Sequence, residues 1–267
     1  DKITVRIEED SIQTIYVNRW YLDDARMDRR ASAILAELDP DARINTDFRP
    51  LASYLGILRW LGMFRVPAWI VAMIPILIML FLLLRLSPVN TGLFAAGFTA
   101  SSAEFLLMIA FQFMYGIIYQ VAGIIIMAFM AGLAAGSGYL YRYAGEGRRS
   151  FIRMQIAIAI FIGILPLLLF LMEKNTGTWL PAISICLLTF ISAVMTGILY
   201  RLATGLSRES YEKVAASTYG ADLAGSAFGL FLIAVFIFPL IGIFWSGLML
   251  AGMNIMAAAI MRFRYLK

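Results

Sequence analysis

The apolar stretch between residues 91 and 149 constrains this chain more than any other part of its sequence. About 20 apolar residues cross the hydrocarbon core of a bilayer, and this stretch contains enough of them for two crossings. It therefore predicts two membrane-spanning helices joined by a tight turn near Met114 to Gln120. A chain organised around such a hairpin is expected to be a polytopic membrane protein.

The composition of the whole chain supports that expectation. Hydrophobic residues make up 61% of it and charged residues 15%, whereas about 25% of a soluble domain is charged. The chain contains no histidine, which excludes imidazole-bound haem, histidine-bound zinc and histidine-based nucleophilic catalysis within it. Its single cysteine, Cys186, lies in an apolar run and allows no internal disulfide. We expect no metal site and no cofactor.

Residues 1–50 form the only part of the sequence with a water-soluble character. Alternating apolar residues predict a strand over Ile3 to Ile7 and a second over Ile12 to Val17, and residues 23–38 predict an amphipathic helix. Fifty residues can hardly form a stable hydrophobic core alone. This α+β appendage is therefore expected to dock on a missing part of the chain, on another subunit or on the membrane domain. No signal-peptide pattern follows Asp1, and one expectation is that the chain is the carboxy-terminal portion of a longer protein.

The remaining sequence predicts an all-α membrane domain over residues 66–267, preceded by an interfacial segment over residues 51–65. We predict about seven transmembrane helices, and the boundary at Phe238-Pro239 is the least distinct. The predicted spans are residues 66–86, 93–113, 119–141, 151–172, 180–202, 214–238 and 239–261.

Basic residues divide unequally between the two sides that these spans define. An excess of arginine and lysine marks the cytoplasmic side, which places residues 1–65 outside the cell in what we expect to be a bacterial inner membrane. The net charge of +5 is thus explained by membrane orientation, and no nucleic-acid partner is expected. The expected cytoplasmic set is Arg85, Arg142, Arg148, Arg149, Arg153, Arg201, Arg208, Lys213, Arg262, Arg264 and Lys267, and the opposite set is Arg49, Arg59, Arg65 and Lys174.

Several runs resemble a known family. These are SIQTIYVNRWYLDD, MDRRASAIL and INTDFRPLASYLGILRW, followed by FQFMYGIIYQ, FMAGLAAGS and YGADLAGSAFGL. They are similar to large bacterial proteins in which a spermidine synthase-like domain is fused to membrane helices. The resemblance implies an aminopropyltransferase whose donor, decarboxylated S-adenosylmethionine, is cytoplasmic. The glycine-rich turn and the acidic catalytic residues of that enzyme are absent from these residues, so no catalytic residue is carried over.

A second resemblance lies in the basic connector over residues 138–149, which contains Arg142, Arg148 and Arg149. It is similar to the basic cytoplasmic loop of major-facilitator transporters, and it implies that residues from about 91 to 261 form one six-helix half of a transporter. The cytoplasmic donor implied by the first resemblance conflicts with an extracytoplasmic appendage. Either the predicted number of spans is wrong by one, or the fold is reused without its chemistry, and we favour reuse because the basic residues are unequally divided over three separate loops.

Three polar residues inside the predicted spans are candidate functional groups. Glu104 and Gln112 lie eight residues apart, about two helical turns, and should share one face of the second span. Asp222 lies early in the sixth span. Intramembrane carboxylates are costly and often mark ion or proton sites. The alternative, which we favour for both carboxylates, is a structural role in hydrogen bonding or pairing.

Four glycines have the small-xxx-small spacing of close helix packing, and they are Gly132, Gly136, Gly225 and Gly229. No strand precedes them, so packing explains them better than phosphate binding does. The partners expected are therefore the lipid bilayer and a protein that contacts residues 1–65 or the helix faces.

Three functions remain open at this stage. The first is a membrane anchor or scaffold subunit of a larger protein or complex, which we favour. The second is the membrane part of an aminopropyltransferase whose catalytic domain lies elsewhere. The third is a transporter-like half that uses Glu104 and Asp222.

Overall fold

The computed structural model describes residues 9–11, 24–37, 45–46, 48, 50–116, 119–173, 179–206 and 211–264. The chain divides into two compact units, residues 1–44 and 45–267. In the first unit the predicted amphipathic helix is present as α1, Asp24–Glu37, and its Ile34 and Leu35 are exposed. The strands predicted over Ile3 to Ile7 and Ile12 to Val17 lie outside the described residues.

The described part of the second unit is all helical, as predicted. Its α-helices are α2 Leu51–Met63, α3 Ala68–Arg85, α4 Pro88–Tyr115, α5 Tyr119–Gly138, α6 Gly147–Glu173, α7 Leu180–Leu206, α8 Tyr211–Leu232 and α9 Phe238–Arg264, with a 3-10 helix at Leu140–Tyr143 and a π-helical turn at Ile233–Ile237.

Helix α4 is the centre of the bundle. Ser87 caps its first turn by accepting a hydrogen bond from the Asn90 N–H at 3.3 Å, and Pro88 occupies the position where a helix start tolerates proline. It ends at Gly116, whose left-handed φ of 70° is typical of a helix C-terminus. The helix is buried along most of its length and contacts α7, α8, α9 and α6.

Helices α4 and α8 run parallel. Gly225 of α8 packs on Phe94 of α4, and Gly229, one turn further along α8, packs on Phe98, one turn further along α4. Helix α9 runs the opposite way, since Asn254 bonds Thr99 whereas the Ile243 N–H bonds Phe48, whose ring packs on Phe113 further along α4. The six helices from α4 to α9 thus alternate in direction along the chain.

The last helical stretch, residues 212–264, reverses within itself. Its 53 residues would extend about 80 Å as one straight helix, more than twice the ~30 Å thickness of a bilayer core. The reversal occurs at Gly242, whose backbone has φ 73° and ψ −179°. The predicted boundary at Phe238-Pro239 was therefore misplaced by a few residues. Pro239 is buried three residues before this reversal, in a helical stretch that continues from α8, since the Phe238 N–H bonds the Ile233 carbonyl oxygen.

Basic residues collect at one end of this bundle. That end contains the end of α3, the connector between α5 and α6, the end of α7 and the end of α9. The described basic residues there are Arg85, Arg142, Arg148, Arg149, Arg153, Arg201, Lys213, Arg262 and Arg264. We call it the basic end.

Helix α2 lies at the opposite end. The Ile243 N–H donates to the carbonyl oxygen of Phe48 at 3.1 Å, and the Phe48 ring packs edge-on against Phe113 near the end of α4. The side chain of Asn45 accepts a hydrogen bond from the Ala52 N–H at 2.9 Å and so caps the first turn of α2.

Five helical stretches among the described residues are long and apolar enough to cross a membrane. They are residues 88–115, 121–138, 147–173, 180–206 and 212–264, and the last contains the reversal at Gly242. These stretches indicate an integral membrane protein. Helix α3 is also apolar, but it is too short to be counted among these five stretches. The five stretches alone therefore do not reach the predicted count of seven spans.

Candidate functional site

Close backbone contact joins α4 and α8. A methyl group added to Gly225 would overlap the carbonyl oxygen of Phe94, and one added to Gly229 would overlap that of Phe98. Gly97 on α4 faces the backbone of Asp222 in the same way. Glycines on both helices thus let the two backbones touch, which is how small residues stabilise helix pairs in lipid.

The Asp222 carboxylate lies inside this contact. Its Oδ1 is buried, has no hydrogen-bond partner among the described residues, and would lie 2.7 Å from a methyl group added to Gly97. The Ser226 hydroxyl oxygen is near the same position on Gly97. The carboxylate is thus placed against packed backbone, where a charged form has little solvation.

Glu104 and Gln112 do not join Asp222 in one site. Glu104 is partly buried on α4, and no described group bonds its carboxylate. Gln112, two turns further on, is exposed. Gly97, which contacts Asp222, precedes Glu104 by seven residues, about 10 Å along the helix axis. The two carboxylates therefore occupy different levels of the bundle.

A second close contact joins α5 and α7. A methyl group on Gly132 would lie 2.5 Å from the Phe190 carbonyl oxygen, and one on Gly136 would overlap the carbonyl of Val194. Gly197 of α7 faces Leu133 of α5 in return, a glycine that the spacing rule did not select. The same device thus stabilises two parallel helix pairs in this bundle.

Buried polar side chains form a hydrogen-bonded network where α4, α6 and α9 meet. The Gln155 Nε2 donates to Asn254 Oδ1 at 2.7 Å and to the Gly92 carbonyl oxygen at 3.4 Å. The Asn254 Nδ2 donates in turn to Thr99 Oγ1 and to the Leu250 carbonyl oxygen. The network fixes the register of three helices in a place where no bulk water competes for these groups.

Sequence reasoning missed this network. A rule that looks for intramembrane carboxylates selects Glu104 and Asp222 and passes over two neutral amides. The signal was present, because Asn254 interrupts an otherwise apolar run and Gln155 lies where the apolar run of α6 begins. Gln155 Oε1 and the Ser102 hydroxyl have no hydrogen-bond partner among the described residues. The interior of the bundle thus contains polar atoms whose hydrogen bonds are not all satisfied.

Tyrosines and arginines alternate in the connector at the basic end. The Arg142 guanidinium lies 5.6 Å from the ring centre of Tyr139, and that of Arg201 lies 5.0 Å from the ring centre of Tyr141. Hydrogen bonds from Arg201 and then Arg142 lower the pKa of the Tyr141 hydroxyl. A hydrogen bond with Tyr139 raises the pKa of Tyr143.

Four of the cavities in this chain are lined by described residues. Two are at the basic end, one lies beside Gly242, and one lies between α6 and α7 at the opposite end. Glu104 and Asp222 line none of these four. No group of three or more metal-ligating side chains occurs in the part of the chain that the structure describes.

No protein-family model, curated protein or solved structure matches this chain. Its geometry alone therefore carries the functional conclusion. That geometry consists of closely packed helix pairs, a neutral polar network and an arginine-rich end.

Proposed function

We propose that this chain is a membrane anchor or scaffold that holds a larger protein or complex to the bilayer. The observation that carries the proposal is the backbone contact between paired helices, seen where Gly225 meets Phe94 and where Gly136 meets Val194. Helices in such contact slide or separate only by losing close packing along their whole length. A bundle of this kind is suited to hold a partner in place.

The same proposal includes seven membrane crossings. Helix α3 supplies the crossing beyond the six helices α4 to α9, since its 18 residues extend about 27 Å, close to the thickness of a bilayer core. The basic end then faces the cytoplasm of a bacterial inner membrane, and α2 lies at the outer surface. The appendage over residues 1–44 is extracytoplasmic in this orientation.

Helix α2 supports a partner on the outer side. Its Trp60 and Phe64 rings pack edge-on against each other, and 57% of Trp60 and 62% of Phe64 are exposed. Exposed aromatic residues of this kind serve as anchors in protein interfaces and at membrane surfaces. The partner is a protein that contacts residues 1–65 or the adjoining helix faces.

The two alternatives have less support. Transport by Glu104 and Asp222 requires a water-filled cavity reached by both side chains, and the four cavities above are lined by neither. A role as the membrane part of an aminopropyltransferase depends on the resemblance to spermidine synthase-like proteins. Asn45, in one of the resembling segments, caps α2, which is a structural role.

Site-specific photo-crosslinking tests the anchoring role. A diazirine amino acid placed at Trp60 in the full chain, in its native membrane, should give a crosslinked species that contains a second protein. The same amino acid at Leu61, the buried neighbour on α2, should give none, because that side chain faces the bundle.

The proposal fails if Trp60 crosslinks only to lipid and the chain purifies in mild detergent as a lone monodisperse species. A partner captured equally from both positions would indicate that α2 is disordered in the membrane, which contradicts the placement of the interface. Identification of the partner by mass spectrometry then shows whether it contains an aminopropyltransferase domain.

A further inference from the structure

Four arginines line a cavity of about 630 Å³ at the basic end. Arg148, Arg149 and Arg153 come from the start of α6, and Arg262 comes from the end of α9. Ile152 completes the lining. No other described cavity has as many cationic side chains in its wall.

Three of the four arginines, Arg149, Arg153 and Arg262, have no carboxylate partner among the described residues. Arg153 donates to the Ser150 hydroxyl at 2.9 Å, which is a neutral partner. Like charges gathered around one cavity repel one another.

The start of α6 adds to this charge. A helix N-terminus carries a partial positive charge and free N–H groups, and it favours anions over cations. Arg148 and Arg149 nevertheless occupy the first turn of α6. An anion in the cavity would relieve both the repulsion among the arginines and their unfavourable position on the helix.

An apolar track leads from the cavity toward the bilayer core. Ile152 lies in the cavity wall, and Ile156 and Ile160 follow at four-residue intervals on the same face of α6. Ile156 is 42% exposed and Ile160 is 59% exposed, so this face is uncovered within the chain. A ligand with an anionic head and a hydrocarbon tail matches both the arginine-lined cavity and the apolar face of α6. A free phosphate ion matches only the cavity.

We propose that this cavity binds the phosphate headgroup of an anionic phospholipid, with an acyl chain along Ile156 and Ile160. The four guanidinium groups hold the phosphodiester, since arginine presents paired N–H donors that match phosphate oxygens. Basic pockets between membrane helices recognise lipid headgroups in this way. The site is independent of the anchoring partner, because it lies at the opposite end of the bundle from α2.

Native mass spectrometry of the delipidated full chain in non-ionic detergent tests the site. Phosphatidylglycerol should bind at one saturable site, and phosphatidylcholine of the same chain length should bind at least about tenfold more weakly. The double variant Arg149→Gln with Arg262→Gln should lose that preference. The control, Arg142→Gln with Arg264→Gln, removes the same charge from the basic end outside the cavity and should keep it.

Inorganic phosphate distinguishes the two sources of the anion. At millimolar concentration it should displace little phosphatidylglycerol, because it lacks the acyl chain. Full displacement would assign the cavity to a free phosphate compound and overturn the lipid proposal. Equal affinity for both phospholipids, or equal loss in both double variants, would also overturn it, since the charge of the basic end alone would then explain binding. Circular dichroism of both variants checks that they are folded.

Discussion

Glycines in this bundle differ in what a side chain would meet. Gly225 and Gly220 lie on the same helix five residues apart, yet a methyl group on Gly225 would overlap the Phe94 carbonyl, and one on Gly220 would meet nothing within 4 Å. The first overlap is with backbone of a buried helix, which has no room to move aside. Of these two glycines, Gly225 is required by packing and Gly220 is not.

Replacement of these two glycines by alanine should therefore have opposite effects. Gly225→Ala should lower the free energy of unfolding by about 1–3 kcal/mol, the usual cost of overpacking a well-packed interior. Gly220→Ala should leave it unchanged or raise it slightly, because alanine favours helix. Unfolding in mixed micelles, followed by circular dichroism, measures both. Equal stability of the two variants would contradict the close contact between α4 and α8.

The buried amides show a limit of residue-scale prediction. Gln155 and Asn254 are 99 positions apart, and each by itself has the appearance of an isolated polar residue in an apolar run. Their partnership depends on α6 and α9 packing antiparallel beside α4. A sequence pattern of local periodicity contains no information about that pairing.

Helix existence was more predictable than helix ends. The apolar runs predicted each helix from α3 to α9, because about 20 apolar residues in lipid satisfy their backbone only as helix. The ends were less accurate, since polar residues extend several helices beyond the apolar run. Helix α4 begins at Pro88, five residues before the predicted start, because Ser87 caps it.

The reversal between α8 and α9 depends on the backbone of Gly242. Its φ of 73° with ψ near 180° is a conformation that essentially only glycine adopts. The nearby Phe238-Pro239 pair gave the stronger sequence signal, yet the chain passes through it as helix, since the Phe238 N–H still bonds the Ile233 carbonyl oxygen. When a glycine and a proline lie close together, the sequence alone does not indicate which of them makes the turn.

Gly242→Ala should strain this reversal and lower the free energy of unfolding by about 1–3 kcal/mol. Trp245 lies three residues away and provides a local fluorescence signal, which should shift as its surroundings rearrange. Gly252→Ala is the matched control, because Gly252 lies in the same helix with nothing within 4 Å of an added methyl group. Similar stability of both variants would show that the turn lies elsewhere.

At the scale of the whole molecule, the two ends of the bundle differ in chemistry. Arg149 lies at the basic end, and Trp60 of α2 lies at the other. Since α4 to α9 alternate in direction, the two residues should be on opposite sides of the membrane. This arrangement follows from the direction of the helices, whereas the side that each end faces stays a prediction from the positive-inside rule.

Cysteine accessibility tests this topology. Replacement of Cys186 by alanine removes the single cysteine, and one new cysteine is then added per variant. In intact cells an impermeant maleimide should label Trp60→Cys, and it should label Arg149→Cys only after the membrane is opened. Ile160→Cys, on the exposed apolar face of α6, should react in neither case. Labelling of Trp60→Cys and Arg149→Cys from the same side would refute an odd number of crossings.

The sequence by itself determined that this protein is helical, apolar and built to reside in a membrane, because hydrocarbon leaves the backbone no other way to satisfy its hydrogen bonds. It also determined where the arginines concentrate along the chain. Only the tertiary structure decided which helices pair, which of 21 glycines are needed for contact, and that Gln155 meets Asn254. The reason is physical: packing brings together residues far apart in the chain, and local periodicity specifies a buried face without naming its partner.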